Sequence, residues 1–119
     1  MPKALLLVDH GSRFAEANRV LEELVALLRR LRPELIVHAA HMELASPTIP
    51  EGLAACMADG ATEIVVHPYM LAPGRHASED IPRMVEEAVR GMQGVTWRVT
   101  GPLGVHEKLA EVVLERARL

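Results

Sequence analysis

The sequence has almost no cysteine: Cys56 is the single one in 119 residues. An internal disulfide is therefore excluded. A lone thiol inside a helical pattern reads as an inert core residue, and the natural setting is a reducing cytoplasm. Positive charge is not in excess either. Lys and Arg number 13 against 16 Asp and Glu, for a formal net charge of -3. The arginines are scattered among glutamates, so the basic face that nucleic acid demands is missing and no such partner is expected. Long apolar runs are absent too. Ala4-Leu5-Leu6-Leu7-Val8 is too short for a signal peptide or a membrane span and runs straight into Asp9-His10-Gly11, so no membrane partner is expected. No linker or low-complexity stretch interrupts the chain, and residues 1–119 read as a single domain around one core.

What is present is a strict alternation. Ala4 to Val8 is a continuous apolar run, as expected for a strand covered on both faces of a parallel sheet. Phe14, Asn18, Leu21, Val25 and Leu28 then recur at helical spacing until Pro33 ends the pattern. Leu35 to His41 is a second strand; Ala45-Ser46-Pro47-Thr48 supplies a turn and cap, and Ile49, Leu53, Cys56 and Met57 mark a helix that stops at Gly60. Glu63 to Pro68 is the third strand. Arg75 and His76 are expected just before a helix that opens with acids and Pro82 and closes near Gly91 to Gly94. Val95 to Thr100 is the fourth strand, and a last helix carries Leu109, Val112 and Val113. Four strand-helix units with right-handed crossovers predict an α/β fold: a flavodoxin-like open parallel four-stranded sheet, order 2-1-3-4, with helices on both faces. In that order the connections diverge between strands one and three, and ligands of open α/β sheets bind beyond the carboxyl ends at such a point.

The two richest loops follow those two strands. After strand one comes Asp9-His10-Gly11-Ser12-Arg13; after strand three, Tyr69-Met70-Leu71-Ala72-Pro73-Gly74-Arg75-His76. His10 and His76 would face each other across the crevice. If strand two continues its alternation, His41 and Glu43 share a face, setting a carboxylate at the rim beside an imidazole. Imidazoles plus a carboxylate suit a divalent first-row metal ion. Arg13 and Arg75, near helix N-termini, would reinforce an anion site. Bland readings stand beside these. His38 and His106 are best taken as hydrogen-bonding residues, His67 as a packed or supporting residue, Asp9 and Glu43 as turn or capping acids, and Tyr69, Met70 and Leu71 as core or dimer contacts.

His-Gly-Ser-Arg after the first strand, Glu-Leu-Ala-Ser-Pro after the second, and Pro-Tyr-Met-Leu-Ala-Pro-Gly-Arg-His with Asp-Ile-Pro after the third resemble the short class II sirohydrochlorin chelatases. The similarity covers nearly the whole chain. It implies a chelatase-like lobe that pairs with a second copy of itself, and insertion of Co²⁺, Fe²⁺ or Ni²⁺ into sirohydrochlorin in cobalamin or siroheme biosynthesis. By that resemblance His10 and His76 handle the metal, and Glu43 joins them as the catalytic acid residue. Ser12, Arg13, Tyr69, Met70, Leu71, Gly74 and Arg75 are placed against the tetrapyrrole or, for the apolar ones with Met42 and Leu44, across the dimer. His67 departs from the family pattern, where apolar or small residues are more usual. The metal is substrate and no organic cofactor is needed; without a histidine-rich or cysteine-rich tail, metal storage and an iron-sulfur cluster are not expected. A non-catalytic metal carrier would use the same ligands. A histidine phosphatase is disfavoured because Asp9 beside His10 would repel a phosphate, and a response regulator lacks its acid at Pro68-Tyr69.

Overall fold

A computed structural model describes residues 2–72 and 74–119, the side chain of His76 excepted. In chain order it runs β1 (Lys3–Asp9), α1 (Ala15–Leu31), β2 (Ile36–His41), α2 (Ile49–Ala58), β3 (Glu63–Pro68), α3 (Arg75–Val89), β4 (Thr96–Val99) and α4 (Glu107–Ala117). The strands form one parallel sheet in the order β2-β1-β3-β4, with Val8 opposite both Ala40 and Pro68. This is the expected architecture, and the reason is local. The first strand's apolar run fills the sheet centre, where Leu6, Leu7 and Val8 are buried on both faces.

Two cores flank the sheet. On one face Leu6, Val8, Ala40, Ile64 and Val66 pack against Ile49, Leu53 and Cys56 of α2 and Ala77, Ile81 and Val85 of α3. On the other, Leu7 and Val37 meet Leu21 and Val25 of α1. Gly52 sits where α2 crosses the sheet: a Cβ there would lie 2.8 Å from Leu6 Cδ1 and 2.9 Å from the Ala40 methyl, so glycine sets the depth of that helix. Cys56 is part of this packing, and burial pushes its thiol up to about 12, which keeps it unreactive.

Two elements differ from expectation. α3 starts at Arg75, so Arg75 and His76 belong to its first turn and Pro82 lies inside the helix. The cause is the buried row Ala77, Ile81, Val85, Val89, spaced every four residues, which extends the apolar stripe back to Ala77 and carries the helix with it. Second, α4 has no buried residue and, among the described residues, makes no substantial packing contact with the sheet or the other helices.

Candidate functional site at the carboxyl edge of the sheet

β1 is the central strand of the site, and the chain beyond it is hydrogen-bonded on both sides. The Tyr69 amide donates to the Val8 carbonyl at 2.7 Å, drawing in the loop after β3. On the other side the Met42 amide donates to Asp9 O at 2.9 Å and the Glu43 amide to His10 O at 3.1 Å. The loops after β1 and β2 therefore run together past the ends of their strands. Gly11 makes this approach feasible. Its φ is +86°, and a Cβ at this position would lie 1.8 Å from the Glu43 carbonyl oxygen. His10 and Glu43, joined through their backbones, are both exposed.

The β2 loop is shaped by its far end. Thr48 caps α2 through its hydroxyl, which accepts from the Glu51 amide, while the Glu51 carboxylate accepts from the Thr48 amide. Those contacts, with the Ser46 hydroxyl, hold the Glu51 carboxyl below its ordinary range. Between Glu43 and this cap, Leu44 adopts φ of 70°, a left-handed conformation that is strained for a branched residue, and its side chain is exposed.

His41 is not beside Glu43. β2 ends at His41, so the strand's alternation does not carry on to Glu43. The imidazole is 0% exposed and places Nδ1 2.6 Å from Asp9 Oδ1, which also accepts from the Gly11 amide at 3.0 Å. Asp9 is thus a turn acid and an imidazole partner together. The other histidines are held by hydrogen bonds. His38 Nε2 lies 2.7 Å from Asp59, and His106 Nδ1 accepts from the Lys108 amide. His67 Nδ1 donates to the Thr100 hydroxyl, whose proton goes to Gly101 O; partial burial pushes this histidine's pKa below its ordinary value.

The remaining candidates divide. Arg13, Leu71, Gly74 and Arg75 are exposed on the loops of this edge, and neither arginine has a carboxylate partner among the described residues. Ser12 is half-buried and its hydroxyl accepts from the Phe14 amide. Tyr69 packs on the α1-side core, and Met70, 9% exposed, is inside the α2–α3 core. The side chain of His76 lies outside the described residues. Among the described residues no three His, Cys, Asp or Glu side chains converge on one point.

The sequence reading missed Phe14. Its helical spacing suggested a packed residue, but it is the N-cap of α1 and stands 77% exposed. With Leu44 after β2 and Leu71, 67% exposed, after β3, each of the first three strands is followed by a large bare apolar side chain. A shallow concavity of about 590 Å³ is lined by Arg13, Phe14 and Glu16. A second cleft, of about 260 Å³, lies between α3 and the end of β4 and carries no charged side chain. The loops at this edge thus carry an exposed imidazole, an exposed carboxylate, two arginines and bare apolar side chains.

The CbiX family model matches residues 4–118. The chain is 42% identical over 112 residues to the chloroplastic sirohydrochlorin ferrochelatase of Arabidopsis thaliana, covering 94% of this chain and 50% of that protein. It is 36% identical over 121 residues to a sirohydrochlorin cobaltochelatase of Methanococcoides burtonii, covering 95% and 92%. Among solved structures, the sirohydrochlorin chelatase SirB of Bacillus subtilis subspecies spizizenii in complex with cobalt superimposes with a TM-score of 0.88 at 30% identity, covering 99% of this chain and 50% of that one. The chain thus spans about half the length of some of its relatives and nearly all of others.

Proposed function

From the premise that this chain belongs to the CbiX family, we propose that it inserts a divalent metal ion, Co²⁺ or Fe²⁺, into sirohydrochlorin. The observation that carries the reading is the joining of the loops after β1 and β2, in which the Glu43 amide bonds to the His10 carbonyl at the carboxyl edge of the sheet. With Co²⁺ the product would feed cobalamin biosynthesis and with Fe²⁺ siroheme biosynthesis.

Insertion exchanges one M²⁺ for the two pyrrole N–H protons, so the site must deliver an ion and remove two protons. His10 and His76 present the ion through imidazole nitrogen and take up protons as it leaves them for the ring; an imidazole can do both near neutral pH. Glu43 assists as base or as a transient ligand. Arg13 and Arg75 meet the peripheral carboxylates of the tetrapyrrole, Arg75 with the help of the α3 N-terminus on which it stands. Leu71, joined by Phe14 and Leu44, offers apolar contact to the macrocycle. Ser12, Tyr69 and Gly74 shape the loops that approach it, while Met70 supports them from the core. No organic cofactor enters this scheme.

A homodimer completes the reading. A lobe half the length of some relatives has one crevice edge only, and its α4 carries Val112, Val113 and Leu114 uncovered. A second copy would supply both the other half of the enclosure and the cover for that helix.

The direct test is to incubate purified protein with metal-free sirohydrochlorin and, in parallel, Co²⁺, Fe²⁺ or Ni²⁺. Replacement of the metal-free absorption bands faster than the spontaneous rate is expected for at least one ion. No acceleration with any ion would overturn the proposal. Metal binding with no change in the tetrapyrrole spectrum would make the protein a metal carrier.

A further inference from the structure

The contact between the half-buried Asp9 and the buried His41 is unused by the chemistry just described, yet it adjoins the loop that carries His10. Asp9 and His41 are register partners at the last rung between β1 and β2, so both side chains leave the sheet on the same face. A carboxylate can only accept, so the ring nitrogen at 2.6 Å is a donor: Nδ1 carries the proton in this contact. The same Asp9 oxygen accepts the Gly11 amide, one residue beyond His10. One atom therefore restrains the His10 loop and the residue two before Glu43. His41 Nε2 has no partner among the described residues, so the bond to Asp9 is the ring's only polar anchor. The side chain also starts close under the turn: His41 Cβ lies 3.1 Å from where a Cβ on Gly11 would stand. From behind, the His41 amide donates to Pro47 O at 2.7 Å, tying the pair to the turn that caps α2.

We propose that the Asp9–His41 pair is a positioning element that fixes the separation of His10 from Glu43, and that His41 is a positioning residue for metal transfer without itself touching metal or tetrapyrrole. The proposal rests on the chelatase reading for its catalytic consequence but not for its structural one. A core histidine of average importance could be replaced by any residue that fills its volume. A positioning histidine can be replaced only by one that keeps a donor toward Asp9. Asparagine does so, because its amide nitrogen stands near the Nδ1 position; leucine does not.

His41→Leu and His41→Asn are therefore compared with the wild type by two measurements on the full chain. The first is amide hydrogen exchange without any ligand. In His41→Leu the Gly11 and Glu43 amides should lose at least about tenfold of their protection while Val66, deep in β3, keeps its own, and His41→Asn should restore both. The second is steady-state insertion of Co²⁺ into sirohydrochlorin. Removing a group that orients a metal-handling residue characteristically costs about 10- to 100-fold. This should appear in kcat for His41→Leu, with KM for the tetrapyrrole unchanged and most of the loss recovered in His41→Asn. Unaltered exchange at Glu43, protection lost equally at Val66, or an asparagine variant no better than leucine would each overturn the proposal. A wild type that inserts no metal would refute the chelatase reading alone, since the exchange pattern would still decide the role of the pair.

Discussion

Gly11 meets two demands at once, a left-handed backbone and space for a carbonyl, and Gly60 meets only the first. Gly60 has φ of +95° and nothing within 4 Å of a built Cβ, whereas a Cβ on Gly11 collides with Glu43 O. Gly60→Ala should cost about 1–2 kcal/mol, the usual penalty for a side chain in the left-handed region. Gly11→Ala adds the displacement of the Glu43 loop and should exceed it by about 1–3 kcal/mol, the scale of an overpacked contact; equal midpoints in urea denaturation would refute the close-approach argument. By contrast His10 and Glu43 are exposed, so His10→Ala and Glu43→Gln should shift stability by no more than about 0.5 kcal/mol. Each should still abolish most metal insertion, and Glu43→Gln should leave tetrapyrrole binding nearly intact. Normal turnover by either variant would remove that residue from the mechanism. His10, beside Gly11 after β1, and Glu43, after β2, stood out in the sequence as candidates, and the structure joins them through their backbones. The partnership of Asp9 with His41 was not, because it depends on where β2 stops, and one residue of alternation decides whether an imidazole points to the rim or the core. His67 has a pH signature of its own. Burial lowers its folded-state pKa from 6.5, so the unfolded chain binds a proton that the folded chain resists. That penalty is absent above pH 6.5, grows as the pH falls through 6.5, and is complete below the folded value. Removing the titrating group in His67→Gln should therefore flatten stability between pH 7 and 5, read by thermal melts across that range, and an unchanged slope would argue against the buried environment.

At the scale of elements, the strands were legible because each is a short apolar run and the order follows from right-handed crossovers. The start of α2 was equally legible, since Ala45-Ser46-Pro47-Thr48 reads as a turn and cap; the structure adds the reciprocal bond from Glu51. The start of α3 was not, because Arg75 and His76 look like loop chemistry while the buried Ala77 that brings them into the helix is an inconspicuous residue. The consequence for function is that Arg75 is carried by a regular first turn in place of an open loop, and its orientation is set by the helix. The cap of α2 matters to the site for a related reason. Thr48 pairs with His41 across an isolated bridge and so anchors the far end of the segment that carries Glu43. Thr48→Ala should cost about 1 kcal/mol through the lost cap, and Thr48→Ser, which keeps the hydroxyl, should restore it; equal melting of the two variants would show that the capping bond contributes nothing.

The whole molecule measures 50 × 32 × 26 Å, elongated for its size, and α4 is the element without a place in it. Its amphipathic pattern was visible in the sequence, but a pattern says that a face is apolar and not which surface covers it. Leu109, Val112 and Val113 recur at the spacing of one helix face, and Val112 and Val113 remain bare. On the sheet, the face of β3 that carries Val65 and His67 is only half covered, while the opposite face of that strand is sealed by α2 and α3. In the homodimer proposed above, the stripe of one copy would cover the half-open face of the other, by an exchange of α4 around a two-fold axis. The expected outcome is a dimer by light scattering at micromolar concentration. Two aspartates on the stripe, in the double variant Val112→Asp/Val113→Asp, should yield a monomer whose β1, β2 and β3 amides keep their protection, because α4 contributes nothing to the lobe's own core, and whose metal insertion is largely lost for want of the second half of the enclosure. A wild-type monomer that inserts metal at full rate would refute the paired arrangement, and a dimer that survives both aspartates would place its contact elsewhere than on α4.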